Sequence, residues 1–265
     1  MNFLIHIFLK IFVNIIVYKR KILYFKLIHI FSYNDYIYSY DGLKIYKPKI
    51  RNDITYRYTV AGIYMGEFQK KLLRIKDEFY FLDIGSNIGY FSLVAGSNKK
   101  LRKIFSIEAN PVIKKHLDKN LNLNFSKKKY ETYNLAISNK IGKLNFYINK
   151  KDSGSSSLIK KNKFSKLIRV KSKNFKLFNE IGNKIKKKKV VVKIDVEGKD
   201  LEVLKELKKS NIFKNIFYLY IESKNENKKI NDIKKNLVNF SLKKKHSIIE
   251  NLKNKKQVDL EFIKK

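Results

Sequence analysis

Apolar residues recur along this chain with two different periods, and the change between them marks its organisation. From position 79 onward, short apolar runs alternate with stretches whose apolar positions fall three and four residues apart. The runs 79–84, 104–107, 133–137, 190–196 and 217–221 predict strands. The stretches 90–95, 112–123 and 201–207 predict helices, the second with Ile113, Leu117 and Leu121 in register. Strands alternating with helices imply βαβ units, hence an α/β fold with a doubly wound, mostly parallel sheet. Val190, Val191, Val192 and Ile194 are nearly continuous, as a central strand buried on both faces requires. A further helix over 230–240 precedes 246–250 and 258–262, which read as a C-terminal antiparallel hairpin.

Three other segments depart from this rhythm. Between the third and fourth strands, Leu144, Phe146 and Ile148 alternate with polar residues, as do Ile168 and Val170, so two half-buried strands flank the Ser-rich loop 152–157. Upstream, a helix over 61–75 is expected, preceded by a hairpin-like connecting segment within 34–60. The first 33 residues form an apolar helical extension, interrupted by Asn2, His6, Lys10 and Asn14 at every fourth position, which makes one polar stripe on a greasy cylinder. With Lys10 inside it and Lys19, Arg20 and Lys21 closing it, the run does not suit a membrane span of about 20 apolar residues. Two readings stay open: residues 1–31 as an interfacial anchor with basic residues on anionic headgroups, or as a helical lid packed on the domain. The division expected is therefore 1–33, 34–60 and a catalytic domain over 61–265, in a cytoplasmic protein with peripheral membrane contact at most.

Composition adjusts this picture in two ways. The absence of cysteine excludes disulfides, thiolate metal sites and a cysteine nucleophile. The 60 Lys and Arg against 23 Asp and Glu give a formal charge of +37, which first suggests nucleic acid or an anionic membrane as partner. The excess, however, is lysine spread through nearly every segment, with little arginine to supply planar bidentate recognition, so nucleic acid is not the expected partner.

The chemistry lies at the expected carboxyl ends of the strands. The first ends in Asp83-Ile84-Gly85-Ser86-Asn87-Ile88-Gly89, directly before a helix, where an open α/β sheet places its ligand. The glycine spacing is not that of a dinucleotide fingerprint, and an acid at this turn repels a pyrophosphate but suits a cofactor with an ammonium and a sulfonium. Glu108, followed by Asn110, ends the second strand about 20 residues on, at the distance that serves ribose hydroxyls. Together these point to S-adenosylmethionine. In the fourth strand Lys193, Asp195 and Glu197 share one face of an otherwise apolar run, where unpaired charges cost several kcal/mol. Asp195 and Glu197, with Glu222 at the end of the fifth strand, are the candidate acceptor-site carboxylates, acting as general base or as oxygen ligands to Mg²⁺. His116, in the middle of a helix, reads as a packing residue.

The segments FLDIGSNIGYFSLVAG, FSIEANPVIKKHLDKNLNLN, YNLAIS, GSSSL, VVKIDVEGKDLEVLKEL and FYLYIES, in this order over about 66–223, resemble the FkbM-type S-adenosylmethionine-dependent methyltransferases. The resemblance implies a class I methyltransferase (Rossmann-like) fold and O-methylation of a hydroxyl on a sugar, a glycolipid or polysaccharide, or a secondary metabolite. It places Asp83, Gly85, Asn87 and Gly89 at the methionine end of the cofactor and Glu108 on its ribose. Two competing readings are a nucleic-acid methyltransferase and a membrane-attached, non-catalytic binding protein. The first lacks the Pro-Pro-aromatic motif used on base amino groups, because Asp195-Val196-Glu197-Gly198 stands in its place.

Overall fold

Alternation along the central strands divides the interior in two. In the computed structural model Phe79 and Phe81 enter one buried cluster while Leu82 and Ile84 enter another, and Val191 likewise faces away from Val190, Val192 and Ile194. The structure describes residues 2–16, 21–47, 53–64, 66–160, 165–185, 188–246 and 257–265. In chain order the elements are α1 (Asn2–Ile16), α2 (Lys21–Phe31), β1 (Tyr36–Tyr38), β2 (Lys44–Tyr46), α3 (Ile54–Val60), α4 (Glu67–Arg74), β3 (Phe79–Ile84), α5 (Tyr90–Ser97), β4 (Leu101–Ile107), α6 (Pro111–Asn124), β5 (Tyr130–Tyr133), β6 (Ala136–Ile137), β7 (Gly142–Ile148), β8 (Lys166–Lys173), α7 (Phe175–Lys184), β9 (Lys189–Ile194), α8 (Asp200–Lys208), β10 (Ile216–Lys224), α9 (Asn227–Asn236), β11 (Phe240–His246) and β12 (Gln257–Lys264).

Seven strands form one sheet in the order β11-β12-β10-β9-β3-β4-β5. The pairs from β10 to β5 are parallel, whereas β12 pairs antiparallel with both β10 and β11. Side chains from α1 to α6 build the cluster on one face, and α7, α8 and α9 build the other. Leu9, Tyr24 and Ile28 join the first cluster, so the N-terminal helices are layered onto the domain. A small sheet, β6-β8-β7, carries the inserted hairpin.

Four expectations shift. Of the helix expected over 61–75 only α4 forms, over 67–74; Asp53 caps a separate helix, α3, upstream through the Tyr56 amide, and Gly62, at φ +66°, follows its end. The strand over 133–137 is split: β5 ends at Tyr133, and β6 leaves the main sheet to pair with β8. The closing pair is formed by β11 at 240–246, which takes the end of the expected 230–240 helix, while 247–250 lie outside the described residues. Helix α7 was not anticipated, although the Asn174 cap and the spacing of Leu177, Phe178 and Ile181 signal it.

Candidate active site

The order of strands reverses between β3 and β9, and the two loops leaving their carboxyl ends meet there. Gly85 takes φ +77° and lies so close to β9 that a Cβ would stand 1.8 Å from the Asp195 carbonyl oxygen. Only glycine fits both demands. The turn is held by the Gly85 and Ser86 amides donating to the Ile107 carbonyl, and Asn87 follows at φ 48°. Gly89, at φ +90°, caps α5 against Leu117.

Beside this turn opens a cavity of about 460 Å³, lined by Gly85 to Ile88, Glu108, Asp195, Glu197 and Glu222 among others. Glu108 is held by two amides, with Asn87 N donating to Oε2 and Asn110 N to Oε1, each at 2.8 Å. Burial nevertheless outweighs those donors and pushes its carboxyl up to about 7. Three candidate cofactor residues stand behind the wall and do not line the cavity. Asn110 caps α6 through Val112 N. Gly89 packs on Leu117. Asp83 is buried beneath the turn, accepting from Ser92 Oγ at 2.6 Å and lying 3.9 Å from Lys193 Nζ.

Lys193 is the cation within this acidic floor. Its ammonium sits 2.9 Å from Asp195 Oδ2 and over the Phe91 ring. Burial opposes the charge, but the Asp195 and Asp83 carboxylates prevail and hold Lys193 above its ordinary range. Asp195, Glu197 and Glu222 offer carboxylate oxygens within 4.8 Å of one another, as oxygen ligands of one divalent cation would lie. Burial, then the Asp195 charge and a hydrogen bond to it, raise Glu222 well above a normal carboxyl. Burial and the neighbouring Asp195 thus favour the protonated form of Glu222, while Lys193 pairs with Asp195.

The loop bearing Glu197 is strained and pinned. Glu197 adopts φ 58° and its carbonyl accepts from Ser157 Oγ, at a cost for such backbone of about 1–3 kcal/mol. Asp200 accepts from the Val196 and Gly198 amides and so fixes the turn; its burial pushes it up to about 6.

The residues that sequence reasoning missed come from the other side of the cavity. Asp53 accepts from both N and Oγ of Ser153, whose Oγ also lies 3.2 Å from Asn87 Oδ1. Thr55 Oγ1 donates to Asp152 and accepts from Gly154 N. The start of α3 and the Ser-rich loop thus clasp each other over the glycine turn, and Tyr58 and Tyr64 extend that wall. Asp259, opposite Glu222 in the β10–β12 register, adds a fourth carboxylate. A common Asp and a Ser-rich loop about 100 residues apart carry no local signal of this contact. His116, stacked on Tyr46, lies away from the cavity lining, as a packing residue should.

A sheet with β12 alone reversed, and its cavity at the reversal point, places the protein in class I of the S-adenosylmethionine-dependent methyltransferases. The model of the methyltransferase FkbM domain matches residues 83–255, and the chain belongs to that family. Among solved structures, methyltransferase FkbM from Methylobacillus flagellatus KT is similar at a TM-score of 0.49 and 14% identity, over 76% of this chain and 47% of that one. Trm5b from Pyrococcus abyssi gives 0.49 at 10% identity, over 88% and 56%. The tRNA m1G37 methyltransferase of M. jannaschii gives 0.47 at 12%, over 88% and 55%. The chain thus spans about half the length of these solved proteins. No curated protein matches it.

Proposed function

We propose that this chain is an O-methyltransferase that moves a methyl group from S-adenosylmethionine to a hydroxyl of a sugar, glycolipid, polysaccharide or other polyol-like small molecule. The observation that carries the reading is the convergence of Asp195, Glu197 and Glu222 on the same cavity as Gly85 and Glu108. The residues present fit the cofactor: the bare backbone at Gly85 leaves room for close approach, and Glu108 faces the cavity with lone pairs left for ribose hydroxyls. When bound, S-adenosylmethionine supplies a methyl already activated on a sulfonium.

The chain's own task is then to align a hydroxyl and receive its proton. Asp195, the charged member of its pair, is the base, and Glu222 is its proton-sharing partner. Glu197 orients the acceptor through a second hydroxyl, and Tyr58 and Tyr64 offer flat faces to a sugar ring. A cavity whose lining carries more carboxylates than its two lysines, Lys193 and Lys199, forms a poor bed for a phosphate backbone. This supports a neutral, hydroxyl-bearing acceptor over nucleic acid. Any metal between the carboxylates would compete with Lys193, which already neutralises Asp195 at 2.9 Å.

The test is transfer of labelled methyl from S-adenosylmethionine into parallel pools of saccharides, glycolipids and total tRNA. Label is expected in a saccharide or glycolipid pool and should fall by about 10²–10⁴ in Asp195→Asn with cofactor affinity retained. Label confined to tRNA overturns the reading.

A further inference from the structure

Helix α1 turns His6 and Lys10 toward the domain. His6 is buried, and its Nδ1 lies 2.7 Å from the Tyr24 hydroxyl, which itself donates to the Tyr38 carbonyl at 2.8 Å. The Tyr24 oxygen therefore accepts from His6 Nδ1–H, and burial, with Lys10 nearby, lowers His6 to about 4, so the ring stays neutral. Lys10 reaches the Tyr40 ring, which Lys21 also approaches, and Leu9 completes the buried face. What this helix turns outward is its apolar side. Phe3, Leu4, Ile7, Phe8 and Ile11 fall on one stripe and are 38 to 71% exposed.

A soluble helix buries its apolar stripe and solvates its polar one. Here Ile5, Leu9 and Phe12 pack inward beside His6 and Lys10, and the outward stripe is apolar as well, so the exposed apolar surface is built into the packing. Charge then selects the occupant: residues 1–34 contain no Asp or Glu, and although Lys10 and Lys21 are engaged on the domain, Lys19, Arg20 and Lys26 add further positive charge and Lys26 is exposed. An apolar stripe on an acid-free, cationic segment complements an anionic bilayer surface. Among the described residues no helix is long and apolar enough to cross a membrane, and α1, with 15 residues, extends only about 22 Å against a hydrocarbon core of about 30 Å. We infer that α1 lies flat in the interface of an anionic lipid bilayer, with Phe3, Leu4, Ile7, Phe8 and Ile11 in the acyl region. Helix α2 packs on α1 and meets α3 through His29 Nε2 and the Tyr56 hydroxyl, and α3 lines the cavity, so the docked helix is linked through α2 and α3 to the cavity wall.

The experiment is flotation of the full chain with vesicles of phosphatidylcholine containing about one third phosphatidylglycerol, and with phosphatidylcholine alone, in the absence of cofactor and acceptor. Failure of the methyl-transfer reading would leave this result untouched. Wild type should float with the anionic vesicles and much less with the neutral ones. Leu4→Asp combined with Phe8→Asp should reduce the partition coefficient by at least about tenfold. Both side chains are exposed, so the fold should survive, as circular dichroism will check, and Val238→Asp, exposed on another surface, should float like wild type. Equal flotation of the double variant overturns the inference. So does a wild-type chain that ignores vesicles but forms a dimer, by light scattering, that the double variant dissolves, which would make a second copy the occupant.

Discussion

Glu108 makes cofactor binding depend on pH, and the size of the effect can be worked out. Ribose hydroxyls donate, so they need an oxygen acceptor on each side, and the ionised carboxylate supplies both. Protonated Glu108 would have to spend one oxygen as a donor that neither the Asn87 nor the Asn110 amide can accept. With its carboxyl held at about 7, roughly nine tenths of the molecules are ionised at pH 8 and roughly one tenth at pH 6. If only the ionised form binds well, the Kd for S-adenosylhomocysteine rises about tenfold from pH 8 to pH 6, equivalent to about 1.4 kcal/mol. An unburied glutamate would titrate well below this window and leave the Kd flat. Isothermal titration calorimetry at pH 6, 7 and 8 reads the slope directly. Glu108→Gln removes the titration and presents an NH₂ to one of two N–H donors, so it should bind weakly at every pH and lose the slope. A wild-type Kd equal at pH 6 and 8, or the same slope in Glu108→Gln, would refute the assignment.

Two further outcomes test the floor of the site. Gly85→Ala combines a left-handed backbone penalty of about 1–2 kcal/mol with a Cβ driven against the Asp195 carbonyl, whereas Gly142→Ala, at φ +125° with nothing within 4 Å, carries only a backbone penalty; urea unfolding should show the first as clearly less stable. Lys193→Met strands Asp83 and Asp195 without their cation and should cost about 3–5 kcal/mol of stability, part of which Asp83→Asn in the same chain restores. A full-strength double variant effect, with no recovery in denaturant midpoint, would show that the pairing is not what holds Lys193 there.

How far this molecule could be read from its sequence depends on the range of the forces involved. Apolar runs such as 190–194 announce buried strands because a strand covered on both faces has no alternative to continuous hydrophobicity. The acids Glu108, Asp195, Glu197 and Glu222 were legible for the complementary reason: a charge at the end of such a run needs a purpose. Competition between nearby signals was less legible. The apolar face expected over 61–75 is real, but Gly62 interrupts it, and the Asp53 cap draws helix into 54–60 instead. Asp83 shows the limit within the motif itself. Its place before the glycine turn suggested contact with the cofactor, yet strand alternation buries its carboxylate beside Ser92 and Lys193. The clasp between Asp53 and Ser153, and the inward rotation of His6, are set by tertiary partners far away in sequence, which no local pattern encodes.

The formal charge of +37 and the acidic cavity are two sides of one arrangement. Outside the site, acids such as Glu78, Glu131 and Glu180 are tied to surface lysines, Glu78 also to Arg102, and such surface pairs contribute little to stability. Asp195, Glu197, Glu222 and Asp259 instead line one cavity with Lys193 and Lys199, so carboxylates outnumber cations there within a positive body. For the reaction proposed above, that imbalance serves both binding and turnover. A cationic cofactor is drawn in by carboxylates that repel one another in its absence. When an acceptor hydroxyl gives up its proton, Asp195 would take it; the bound cofactor would lose one positive charge and the carboxylate one negative charge, so the net charge of the cavity would be unchanged. Asp195 is the member that takes it, because Glu222, driven well above the usual carboxyl range by burial and by Asp195, already holds a proton.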